Sequence, residues 1–204
     1  MLDLEPPPRS IAEFSGWRDW LFNVYRMVKA LFSSRYQHVS IQNAHFGKGA
    51  IPPDQVIIGN YNGWEFDIGD ESVLTIEIGH DIDESKAIGL HVSYVVNEAY
   101  ATNSGKVRWR INYSCTPNSG ESISAPTHTG TLTGTDQNIP ATALHLTHYT
   151  GLSIPAGSYA HGDVIGLKLS RIALTAGVGP TAKPTVLAMH LEYTYQTTNW
   201  AASS

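Results

Sequence analysis

The sequence predicts an all-β protein, an antiparallel jelly-roll-like sandwich preceded by one N-terminal amphipathic helix, and three observations predict it. Apolar residues recur at helical spacing only near the N-terminus and every second residue afterwards. Turn-forming clusters, with no helical stretch between them, separate the period-two runs, so parallel βαβ units are excluded. Charged residues make up only 15% of the chain, against roughly 25% in ordinary soluble domains, while Gly, Ser, Thr, Asn and Tyr are plentiful.

Pro6, Pro7 and Pro8 hold the first segment extended, and Ser10 with Glu13 three residues later reads as a capping box. Phe14, Trp17, Leu21, Val24, Val28 and Leu31 then step by three, four, three, four and three, a heptad seam. Trp20, Phe22, Tyr25 and Met27 widen this face, which suits a trimeric or docked helix better than a slender dimer. A helix of about three heptads is marginal alone in water, so the seam needs cover: other copies, another protein, or the chain's own sandwich. Its polar side is mixed in sign, which speaks against an interfacial membrane helix. The expected docking set is Phe14, Trp17, Trp20, Leu21, Val24, Val28 and Leu31, and the expected division is residues 1–35 as arm and helix and residues 36–204 as the sandwich.

A weak run at Gln55 to Ile58 opens the strands. Trp64, Phe66 and Ile68 form the next alternation, followed by Leu74, Ile76 and Ile78, then Ile88, Leu90, Val92, Tyr94 and Val96, and then Val107, Trp109, Ile111, Tyr113 and Cys115. Leu144 with Leu146, then Ile165, Leu167 and Leu169, then Leu187, Met189, Leu191, Tyr193 and Tyr195 complete about eight. Eight strands of this length favour a double sheet of jelly-roll type. Residues 119–138, rich in Thr, Ser and Gly, read as a long loop or a short edge hairpin.

No reaction assembles from the residues. Gly-x-Ser-x-Gly, a phosphate-cradling loop and a dinucleotide fingerprint are absent from the sequence. Cys115 is in phase with Trp109 and Tyr113, so it reads as a packed thiol, and a single cysteine forms no intrachain disulfide. His145 and His148 lie three apart on an expected strand and so point to opposite faces, and His91 and His190 fall on polar phases. All four read as surface histidines; His38, His45, His128 and His161 have no paired spacing. The His80, Asp81, Asp83, Glu84, Ser85 loop starts like a calcium loop, but Lys86 and Val92 stand where Gly and Glu are needed, and it reads as a solvated acidic turn. Lys106, Arg108 and Arg110 form a short basic stripe on one strand face. No metal and no cofactor are expected.

Beyond residue 35 the chain holds eight basic against fourteen acidic side chains, which disfavours nucleic acid as a partner. The start, acidic and proline-rich from Asp3 to Pro8, lacks the features of a secretory signal, and no run approaches a membrane span, so a soluble protein is expected.

The helix motif Gly16-Trp17-Arg18-Asp19-Trp20-Leu21, the late strand Gly162-Asp163-Val164-Ile165-Gly166-Leu167-Lys168-Leu169-Ser170-Arg171 and the closing Leu191-Glu192-Tyr193 carry a resemblance. The chain resembles small structural proteins of tailed-bacteriophage virions, of the head-decoration (cement) or tail-appendage type with an N-terminal helix and a jelly-roll domain. The resemblance implies a non-enzymatic homotrimer located in the virion, anchored through arm and helix to the major capsid or tail proteins. The alternative in the same setting is a receptor-recognition module for a host surface glycan, with Tyr61, Trp64, Tyr149 and Tyr159 as stacking candidates if exposed. A glycan-cleaving enzyme ranks third, for want of size and of an acid pair.

Overall fold

The change of period after residue 32 becomes a change of architecture in the computed structural model, which describes residues 14–31, 34–39, 51–79, 82–100, 105–117 and 122–194. Helix α1 spans Phe14–Leu31. Strand β1 (Ser34–Val39) follows after two residues, so Ser34 and Arg35 belong to the sheet region. The expected cap at Ser10 and Glu13 lies outside the described residues.

The remaining strands are β2 (Asp54–Ile58), β3 (Tyr61–Glu65), β4 (Glu71–Glu77), β5 (Ile88–Val96), β6 (Lys106–Val107), β7 (Trp109–Thr116), β8 (His128–Thr133), β9 (Gln137–Asn138), β10 (Thr147–Ile154), β11 (Val164–Arg171) and β12 (Pro184–Thr194). One sheet has the order β10-β5-β12-β3-β2, with β1 also paired to β12; the other is β4-β11-β7-β8; β6 and β9 form a small ribbon. Counted in chain order, β3, β4, β5, β7, β8, β10, β11 and β12 pair first with eighth, second with seventh, third with sixth and fourth with fifth, all antiparallel. That is one long hairpin rolled up so that successive pairs alternate between two sheets, which is the jelly-roll topology.

Both sheets turn their apolar phase inward. Leu90, Val92 and Tyr94 of β5 and Met189 and Leu191 of β12 share one buried core with Ile111 of β7 and Leu167 and Leu169 of β11. Trp109 sits at its centre, edge-on to Phe66 (centroids 5.5 Å apart) and to Tyr94 (5.4 Å). The turns that join these strands rely on glycine where the backbone enters the left-handed region, as at Gly69 (φ 98°) and Gly157 (φ 76°).

Four expectations change. The third apolar residue of the 64–68 run does not continue a strand: β3 ends at Glu65, Phe66 is buried, and Ile68 is exposed in the turn before Gly69. Leu144 and Leu146 are exposed and precede the strand; β10 starts at Thr147 and buries Tyr149, Leu152 and Ile154 around a register shift. A second shift between Val186 and Ala188 of β12 puts Val186 in the core and leaves Leu187 half-buried, because a bulge moves the phase by one residue. The Thr-rich segment supplies a true strand, β8, on the edge of the second sheet, and its Thr129, Thr131 and Thr133 face solvent.

Candidate docking surface

Helix α1 carries the expected docking set. Its seam faces solvent along its middle: Leu21 is 56% exposed, Val28 47%, and the flanking Tyr25 54%. Trp17, Trp20 and Val24 are half-buried. The indoles of Trp17 and Trp20, one turn apart, meet edge to face at 5.8 Å, which stiffens the N-terminal half of the seam. Arg26 lies over the Phe22 ring at 5.8 Å, so part of the flanking aromatic surface is capped by a cation. Phe14 and Leu31 are the first and last residues of α1; their side chains lie outside the described residues. A contiguous apolar stripe of this kind is uncommon on a monomer's surface, which makes it a candidate contact surface. No helix among the described residues is long and apolar enough to cross a membrane.

The remaining chemical candidates are engaged in holding the fold. Burial, helped by the nearby Asp163 carboxylate, pushes the Cys115 thiol up to about 12, far from the depressed range of a reactive thiolate. Alkylation of native protein at about pH 8 is therefore expected to leave Cys115 unmodified, and the same reagent in denaturant to modify it fully. Rapid labelling of the folded chain would contradict its packed position.

Asp83 accepts hydrogen bonds from the Ser85 hydroxyl (2.7 Å) and backbone N–H (3.0 Å), which hold its carboxyl below the usual range. Glu84 Oε1 accepts from the His161 backbone N–H (2.7 Å) and lies 2.6 Å from His161 Nδ1, bonds that lower its pKa. The acidic turn is thus tied into its own loop and to the loop at 161, while His80 and Asp81 lie outside the described residues. Arg108 and Arg110 of the basic stripe each stand beside a carboxylate of the chain itself. Arg108 donates to the Gly134 carbonyl (2.8 Å) and stands 3.8 Å from Asp136, and Arg110 and Lys168 flank Glu71 at 3.9 and 3.1 Å.

Two of the stacking candidates are removed by burial. Tyr149 and Tyr159 are core residues, the first accepting from the Thr135 N–H and the second donating to the Lys86 carbonyl. Trp64 packs half-buried against the core, and Tyr61 alone is open, at 66% exposure. His145 and His148 are exposed as expected, but His145 lies in the loop before β10. His91 and His190 differ from expectation: they are half-buried and bonded to each other. No local spacing signals that contact, since it depends on which strands pair.

No protein-family model matches the chain, and no curated protein matches it. Among solved structures it is similar to chains of infectious bursal disease virus. The structure of the Gt strain aligns at 10% identity over 81% of this chain and 33% of that one, with a TM-score of 0.35. The crystal structure of the VP2 subviral particle aligns at 12% identity over 79% and 32%, with a TM-score of 0.34. The chain spans about a third of the length of these chains. At such identities and TM-scores the likeness identifies neither a family nor a function.

Proposed function

We propose that the chain is a non-enzymatic structural protein of a virus particle: a homotrimeric capsid decoration (cement) or fibre-type component of a tailed bacteriophage, held by its N-terminal arm and helix. The observation that carries this reading is the outward-facing seam of α1 beside a sandwich that has already closed its own core. A 3-4 spaced seam packs against another of the same spacing, and second and third copies of this helix supply one. Only two residues separate α1 from β1, which is paired along β12, so a load on the helix passes directly into the sheet. The proline-rich arm, residues 1–12, is then left to lie along a major capsid or tail protein, at low entropic cost because such chain is already extended. The glycan-binding reading has less support, because two of its four aromatic candidates are buried.

Light scattering is expected to give three times the chain mass. Deleting residues 1–12 should leave that mass unchanged and lower occupancy on particles. A monomer in solution, or full occupancy without the arm, would count against the reading.

A further inference from the structure

The outer face of the β5–β12 sheet, turned away from the core, carries a cluster that the docking reading does not use. His91 on β5 and His190 on β12 are directly opposed antiparallel partners. The β1–β12 register places His38 opposite His190. Three histidine positions remote in sequence therefore form one row across three neighbouring strands, with Glu192 two residues further along β12. His91 Nδ1 lies 2.8 Å from His190 Nε2, and His91 Nε2 lies 3.2 Å from Glu192 Oε2.

His91 thus has its Nδ1 facing His190 Nε2 and its Nε2 beside the Glu192 carboxylate. Metal-ligating imidazoles commonly have one nitrogen toward the ion and the other toward a carboxylate that raises ligand basicity. The two facing nitrogens share one proton, and a cation can take that proton's place. With metal–nitrogen lengths of about 2.0–2.1 Å, two tetrahedral ligands stand roughly 3.3 Å apart, so the pair needs to part by only about half an ångström. The His91 side chain is 13% exposed, withdrawn from bulk water but within reach of an ion. Gly89 keeps room for the pair: a Cβ there would lie 3.3 Å from His91 Nε2 and 3.4 Å from Glu192 Cβ. The other sheet histidine of this region, His148, is engaged at Nδ1 with the Ser93 hydroxyl (2.9 Å).

We propose that His91 Nδ1 and His190 Nε2 bind a divalent transition metal of the imidazole-preferring class, Zn2+ or Ni2+, with Glu192 orienting His91. The site is separate from the α1 seam and does not depend on the proposed function.

The test is calorimetric titration of the tag-free chain with Zn2+ alone and with Ni2+ alone, alongside the melting temperature of each variant with and without metal. One ion per chain and a metal-induced rise in melting temperature are expected. His91→Ala and His190→Ala should abolish both, and Glu192→Gln, which changes only a half-exposed carboxylate, should weaken binding by about 10- to 100-fold. His145→Ala with His148→Ala should bind as the parent does. No binding by the folded parent, or binding lost only in the His145/His148 variant, would overturn the proposal. A Glu192→Gln variant that keeps full affinity and a normal melting temperature would overturn the role given to that carboxylate.

Discussion

Trp109→Ala is expected to deprive the sandwich of stable folding. The indole is fully buried and bridges the two layers, edge-on to Phe66 after β3 and to Tyr94 on β5, while its backbone lies in β7 of the opposite sheet. Truncation removes the largest fully buried side chain among the described residues and leaves a cavity that two hydrogen-bonded sheets cannot readily collapse to fill. Such changes cost about 3–5 kcal/mol, a large part of the roughly 5–15 kcal/mol that holds a domain together. His91→Ala, on the outer face of β5, is the comparison. It removes no core volume but leaves Glu192 and His190 without a shared partner, and about 0.5–1.5 kcal/mol is expected. Urea unfolding of both variants should separate them clearly. Equal shifts in midpoint would mean that the inward and outward phases of β5 or β7 are exchanged, since a one-residue slip turns every side chain to the other face.

The elements that could be read from the chain are those whose buried face is written in apolar residues at a constant period. β4, β5, β7 and β11 satisfy this, and their inward sets, such as Ile111 with Tyr113 and Leu167 with Leu169, are the observed core. β8 does not satisfy it: His128–Thr133 carries Leu132 as its one large apolar residue, because an edge strand with an open outer face needs little more. Leu144 and Leu146 imitate a strand by spacing alone, while the true start of β10 is marked by Thr147 and Tyr149, whose burial follows from the pairing with β5. Bulges defeat period counting for a different reason, since the phase change at Val186 is a property of the ladder and leaves no mark in composition. The histidine row was illegible for the same reason. Positions 38, 91 and 190 become neighbours only once β1, β12 and β5 are aligned. The helix seam, by contrast, is wholly local, so its spacing alone shows which residues share one face of α1.

On the proposed trimeric seam, replacing Leu21 and Val24 together by Asp is expected to give a monomer whose sandwich is intact. The two residues are successive seam positions in the middle of α1, one open to solvent and one half-buried, and neither belongs to the sandwich core. In a three-helix seam the substitutions bring six carboxylates into one apolar channel. Each loses its hydration without a cationic partner, and the effective penalty for an unpaired buried charge is several kcal/mol, far more than the apolar contact of a three-heptad seam supplies. In the separated chain the same carboxylates stand in water on a helix surface and cost little. Light scattering should therefore fall to the single-chain mass, while the urea midpoint of the sandwich and its β-type circular dichroism remain those of the parent. The combination distinguishes a seam between copies from a seam folded back on the chain's own sheets, because in the second case the domain would lose stability and the mass would not change. If mass, stability and particle occupancy all stay at parental values, α1 is not the docking element.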